Sequence, residues 1–191
     1  MKNLLNLRNK TIYFDKYLFI SISLLSIMGL VFLYSASQAN TVVVFKQSIF
    51  VLFGLLLMFF LSQPDPNFYK SNSLMFFGIS IVLIVLTLLI GKEANGAKRW
   101  LDFGFFTLQS SEIIKITLPV FLAAYLYDKK LPISLLNTFI TLIVILIIVN
   151  LVRIQPDLGT SLVILMSGIY ILFLAGLSWK FIGFSSIAFI L

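Results

Sequence analysis

Apolar stretches of about twenty residues recur along this chain, and nothing else in the sequence restricts its fold as much. A bilayer core about 30 Å thick is crossed by roughly 20 helical residues rising 1.5 Å each. Six stretches approach that length, at about 17–36, 43–62, 74–90, 112–127, 133–152 and 157–175. Each is parted from the next by a short segment holding charges, Gly or Pro. A seventh begins at Phe181 and stops at Leu191, about half the core thickness. The pattern predicts an all-α integral membrane protein, a polytopic helical bundle of six full transmembrane helices plus the start of a seventh. It reads as one transmembrane domain over 1–191, the front part of something longer. A water-soluble globule is excluded by composition, since 60% of the 191 residues are hydrophobic and 11% charged, against roughly 45–50% and 25% in soluble domains.

The first stretch is also tested as a secretory signal, because basic residues precede it and Ser35-Ala36-Ser37 resembles a small-residue cleavage site. Its apolar run from Tyr17 to Leu33 exceeds the 7–15 residues of a signal core, so it reads as a retained helix. The chain has no Cys and no His, which removes thiolate and imidazole metal sites, a Cys nucleophile, a Ser-His-Asp triad and any disulfide. Chemistry here must use carboxylates, Lys, Arg and hydroxyls.

Lys2, Arg8, Lys10 and Lys16 precede the first span and favour a cytoplasmic N-terminus. That orientation leaves Lys70, Lys129, Lys130 and Lys180 inside, and Lys46, Lys92, Lys98, Arg99, Lys115 and Arg153 outside. Four of the six outer cations fall between Lys92 and Lys115, an excess on the disfavoured side that asks for a cause.

The longest link, 91–111, is an extracytoplasmic loop in this orientation. Lys98-Arg99-Trp100 reads in two ways: as an interfacial anchor, or as a receptor for an anionic headgroup, a phosphate or diphosphate. The run from Leu101 to Leu108 is too short to span and is expected along the interface. Gly91, Gly96 and Lys98 lack the spacing and hydroxyl of a Walker motif. After the loop, Ser110 or Ser111 is expected to cap a helix, with Glu112 in its first turn and Lys115 three residues on, placed to pair. Pro119 frees the Lys115 carbonyl, and a charged pair at shallow depth points to a protein interior or wet cavity or to a structural ion pair. Between the fifth and sixth spans, Asp157 is expected to cap the sixth helix, with Arg153 and Pro156 in the approach to it. Lys98, Arg99, Glu112, Lys115, Arg153 and Asp157 all fall on the same side and are expected to converge on one outward-opening cavity.

Three stretches carry a resemblance: LYSAS at 33–37, GAKRWLDFGFFTLQSSEIIK at 96–115 and QPDLGTSLVILMSGIYILFLAGLSWKFIG at 155–183. In that order and spacing they resemble the SEDS family (shape, elongation, division, sporulation) of bacterial cell-wall polymerases, and its rod-shape branch, RodA, more closely than its division branch, FtsW. Ser110 stands where the family usually has Pro in a QPSE motif. The resemblance implies a multi-pass inner-membrane peptidoglycan glycosyltransferase with about ten helices. It would polymerise lipid II, an undecaprenyl diphosphate carrying a disaccharide-peptide, beside a class B penicillin-binding protein. Glu112, Lys115 and Asp157 match the family's cavity-lining polar residues, and Lys98 and Arg99 its first large outer loop. The family's presumed catalytic Asp lies beyond Leu191, so no catalytic residue is assigned and the chain alone is expected to be inactive.

Attack of a sugar hydroxyl on an anomeric carbon with a diphosphate leaving group needs a carboxylate to take the proton and cations to stabilise the departing charge. Those cations can be side chains or a divalent cation. No protein metal site, no other cofactor and no nucleic-acid partner is expected; membrane lipid is. Two other readings stand beside the polymerase: a lipid II flippase, or a non-catalytic scaffold for wall synthesis. The flippase would need polar groups through the membrane depth, and the middles of spans one, three, five and six hold no charge.

Overall fold

The computed structural model describes residues 14–94, 96–104 and 106–176. The expected start of a seventh helix, Lys180 and the basic residues before Phe14 lie outside the described residues. The chain divides into two compact units between Asp65 and Pro66.

The first unit is a helical hairpin of α1 (Lys16–Ala36) and α2 (Thr41–Ser62). Each helix begins at a side-chain cap. Asp15 accepts from the Tyr17 and Leu18 N–H groups at 2.9 and 3.1 Å, and Asn40 accepts from those of Val42 and Val43 at 3.1 and 3.3 Å. Such caps satisfy donors that a helix start leaves unpaired. Neither helix buries a residue, the surface expected where lipid is the solvent.

The second unit runs α3 (Pro66–Ile90), β1 (Lys92–Ala94), β2 (Ala97–Asp102), β3 (Thr107–Gln109), α4 (Ser110–Tyr127), α5 (Leu135–Ile154) and α6 (Leu158–Leu174). Helices α1 to α5 are long and apolar enough to cross a membrane; α6 is apolar and has 17 residues. The sixth expected span is therefore present as a slightly shorter helix. Helix α3 begins eight residues before the expected 74, because its first turns, PNFYKSNS, are polar yet helical. An apolar criterion misses them, although Pro66 occupies the first helical position, where its missing N–H costs nothing.

The core of this unit gathers Ile84 from α3, Ile114, Leu118 and Leu122 from α4, Ile145, Ile148 and Val152 from α5, and Ile164 and Leu172 from α6. Between α3 and α4 the register is marked by polar pairs. Ser80 and Thr117 hydroxyls lie 2.7 Å apart, and Thr87 and Ser110 hydroxyls 2.9 Å apart. Both pairs repeat at a spacing of seven residues, two helical turns, so antiparallel helices meet at both points or at neither. Each bond contributes only about 0.6 kcal/mol in a membrane; their effect is on register more than on stability. Phe77 and Phe121 stack between helices with ring centroids 4.4 Å apart.

Helices α5 and α6 pack through a small residue. A Cβ built on Gly168 would lie 2.6 Å from Ile145 Cδ1 and 2.7 Å from its Cγ1, and Ile145 is itself fully buried. Small residues admit such close approach in membranes, where no hydrophobic force drives helices together.

The run expected along the interface supplies the end of β2 and the start of β3 in a three-stranded antiparallel sheet of order β1-β2-β3. Ala94 pairs with Ala97, leaving a two-residue turn that includes Gly96 at φ +75°, a left-handed conformation that glycine adopts without steric cost. Asp102 pairs with Thr107 across the second turn, where the Gly104 N–H donates to Asp102 Oδ1 at 2.9 Å and Phe103 stacks on Phe106. Pairing meets the backbone hydrogen-bonding needs that a flat interfacial coil would leave to headgroups. Gly168→Ala is expected to destabilise the chain by about 1–3 kcal/mol through overpacking. Gly78→Ala, with nothing within 4 Å of the new carbon, should be neutral or better; thermal melts in detergent micelles compare the two.

Candidate functional site

Four helix termini and the sheet meet at one end of the second unit: the end of α3, the start of α4, the end of α5 and the start of α6. Their unpaired N–H and C=O groups must find partners there. The turn at 155–157 supplies several of them.

Asp157 caps α6, as the sequence suggests, with Oδ1 accepting from the Thr160 N–H at 3.1 Å. Its other oxygen reaches across the unit. Asp157 Oδ2 accepts from Gln109 Nε2 at 3.0 Å and from the Ser111 hydroxyl at 3.4 Å, so one carboxylate joins α6 to the β3–α4 junction. The expected serine cap of α4 is not formed in that way. Gln109 is the N-cap and makes no side-chain cap bond, because Ser110 and Ser111 are the first helical residues, fully buried. Their hydroxyls meet Thr87 and Asp157 instead. Gln155, 1% exposed, donates through Nε2 to the Ile84 carbonyl of α3 at 3.4 Å.

Strand alternation separates Lys98 from Arg99. Ala97 and Leu101 are buried, with Arg99 between them on the same face, while Lys98 and Trp100 lie on the opposite, exposed face. Arg99 Nε donates to the Gln155 carbonyl at 3.0 Å and Nη2 to the Pro156 carbonyl. Those carbonyls close α5, where a helix carries partial negative charge. Lys98 sits across from Glu93 in the sheet, and Lys92 pairs with Asp102 at 2.8 Å.

Glu112 and Lys115 form the expected ion pair at 2.8 Å on successive turns of α4, with Lys115 the less exposed partner. Pro119 lies inside the same helix, so the Lys115 carbonyl lacks its usual N–H partner. Arg153 occupies the last turn of α5 and is exposed. The structure thus joins Arg99 to Asp157 through one turn. It places Lys98, Glu112, Lys115 and Arg153 at the same end of the unit without direct contact to that pair. Gln109 is a site residue that motif reading passes over, and Ser111 and Gln155 enter the sequence reading only as a cap candidate and as part of a motif; their shared signal is that each is an uncharged polar residue within three positions of a charged one at a helix end. Among the described residues no three acidic side chains gather as a metal site would require.

Partial burial raises the pKa of Asp157, but hydrogen bonds from the Thr160 side chain and backbone, the charge of Arg99 and the Ser111 hydroxyl outweigh it, and the carboxyl titrates below its usual range.

Comparison with known proteins decides the family. The model of the FtsW/RodA/SpoVE family, described as cell cycle protein, matches residues 15–191. The chain belongs to this family. It is 37% identical over 181 residues to the peptidoglycan glycosyltransferase MrdB of Escherichia coli K12, covering 92% of this chain and 49% of that protein. It is 32% identical over 176 residues to the peptidoglycan glycosyltransferase RodA of Treponema pallidum, covering 88% and 40%. Among solved structures, rod shape determining protein RodA of Thermus thermophilus superposes with a TM-score of 0.82 at 28% identity, over 95% of this chain and 61% of that one. A chain from a structure on the coordination of polymerization and crosslinking by a peptidoglycan synthase complex gives 0.83 at 29%, over 93% and 53%. The chain spans about half the length of the curated relatives it matches, and the family fold is a multi-pass helical membrane fold.

A carboxyl whose folded pKa is depressed adds stability above its unfolded pKa of about 3.9, and that contribution is lost as pH falls through the folded value. Asp157→Ala, which removes a helix cap and two further hydrogen bonds, is expected to cost about 2 kcal/mol at pH 7. The difference from wild type should shrink below about pH 4, as measured by denaturant melts in micelles from pH 3 to 7.

Proposed function

We propose that this chain supplies the lipid-headgroup end of a rod-shape peptidoglycan glycosyltransferase, an enzyme that polymerises lipid II in the bacterial inner membrane. The observation that carries the reading is the coincidence of two facts. The stretches that fold into the polar junction, 96–115 and 155–160, lie within the region aligned with relatives named peptidoglycan glycosyltransferase. The cations with donors to spare cluster at that same end of the unit. Lys98 and Arg153 make no side-chain hydrogen bond or ion pair among the described residues, and Lys115 is paired with Glu112 alone.

In this reading the N-terminus is cytoplasmic and the junction faces outward, which accounts for the cations between Lys92 and Lys115. A diphosphate attracts Lys115, Lys98 and Arg153 as point charges, while the Glu112 carboxylate keeps the Lys115 ammonium directed along the α4 face. As the glycosidic bond to the diphosphate breaks, these charges stabilise the departing oxyanion. A divalent cation would arrive with the diphosphate, bound mainly by phosphate oxygens. A class B penicillin-binding protein is the proposed partner, and the likeness to a chain of a synthase complex coupling polymerization with crosslinking supports it.

The test is binding of undecaprenyl diphosphate to the chain in nanodiscs. Wild type is expected to bind it in preference to the neutral alcohol undecaprenol, and Lys115→Ala to weaken binding about tenfold or more, the loss of one charge-assisted contact. Equal affinity for the charged and neutral lipids would contradict the reading.

A further inference from the structure

Arg99 stands in the loop as a natural headgroup receptor, yet its geometry is that of a strut. It lies on the inward face of β2 between two buried residues, Ala97 and Leu101. Two of its N–H groups are committed to main-chain carbonyls, those of Gln155 and Pro156. Those carbonyls belong to the turn whose next residue, Asp157, divides its two oxygens among Thr160, Gln109 and Ser111. The same turn is tied to α3 by Gln155, whose Nε2 reaches the Ile84 carbonyl.

We propose that Arg99 is a positioning residue: its two-point hold on the Gln155 and Pro156 carbonyls fixes the α5–α6 turn and, with it, the direction of the Asp157 carboxylate at the headgroup end. The hold needs a fork. A guanidinium presents N–H groups at fixed spacing in one plane, whereas a Lys ammonium is a single charge on a flexible stem. A carbonyl pair at the end of a helix also carries partial negative charge, so the fork stays occupied without a carboxylate partner. The sheet is thereby fastened to the helices by a side chain that spends its donors on the protein. Lys98, one residue earlier on the opposite face, keeps its donors for what lies outside.

This inference rests on reading that end as a diphosphate-lipid site, and two measurements on the full chain in nanodiscs separate the two ideas. In the first, Asp residues are labelled with carbon-13 at the carboxyl and titrated by NMR, with Asp157 assigned from the signal missing in Asp157→Asn. Arg99→Gln is expected to move the Asp157 titration to higher pH with helix content unchanged. Arg99→Lys, which restores charge without the fork, should recover only part of that shift. In the second, undecaprenyl diphosphate affinity is expected to fall about tenfold in Arg99→Gln and to stay low in Arg99→Lys. An Asp157 titration identical in wild type and Arg99→Gln would overturn the inference, as would full recovery of both readouts by Arg99→Lys. A wild-type chain that ignores the diphosphate lipid would overturn the headgroup reading instead, and the titration would still decide the role of Arg99.

Discussion

Lipid offers no hydrogen bonds, so every polar group that the helices leave unpaired at their ends must be met by the protein or by the water and headgroups just outside. In the second unit part of that demand falls where α3 and α5 finish and α4 and α6 begin. The Asp157 carboxylate answers the donors, and the Arg99 guanidinium, reaching in from β2, answers the acceptors on the two preceding residues of the same turn. Two opposite charges placed this way hold sheet and helices together without forming a direct ion pair. Much of their capacity is spent on main-chain groups, which cannot move away without unwinding a helix.

The packing further along the helices prepares this meeting. The hydroxyl pairs at Ser80–Thr117 and Thr87–Ser110 set the register of α3 against α4. Ser111, next in line, then faces Asp157. On the other side, Gly168 lets α6 approach Ile145 of α5, which keeps the turn between those helices tight. A slip of either helix pair would carry a donor away from the carboxylate. Register in the apolar part of the bundle and polar geometry at its end are therefore one property of the sequence, seen at two depths. In the function proposed above, the freer cations Lys98, Lys115 and Arg153 answer an anionic headgroup while this frame of bonds stays in place.

The helices were legible because a span leaves a length signature: predicted limits at 17–36, 112–127 and 157–175 differ by two residues or fewer from Lys16–Ala36, Ser110–Tyr127 and Leu158–Leu174. The start of α3 was not, since its first turns are polar and helical for reasons of local conformation rather than apolarity. The sheet escaped for a different reason. Its Asn95-Gly96 dipeptide is a strong two-residue hairpin signal, but Arg99 interrupts the apolar alternation of the strand on its inward face, so β2 does not look like a strand. The residue that hides the strand is the one that ties it down. Likewise the Asp157 cap and the Glu112–Lys115 pair follow from spacing alone, being local. The bonds to Asp157 from Gln109 and Ser111 span more than forty positions and depend on tertiary register that no local pattern records.

The central claim is that the Asp157 carboxylate, through Gln109 of β3, and the Arg99 guanidinium of β2 together fasten the sheet to the helices. Amide hydrogen exchange across β2 (Ala97–Asp102) and β3 (Thr107–Gln109), compared between wild type and Asp157→Ala in nanodiscs, addresses it most directly. The account predicts faster exchange in the sheet of the variant, with the buried middle of α4 around Leu118 unchanged. Equal protection of the sheet in both proteins would contradict it.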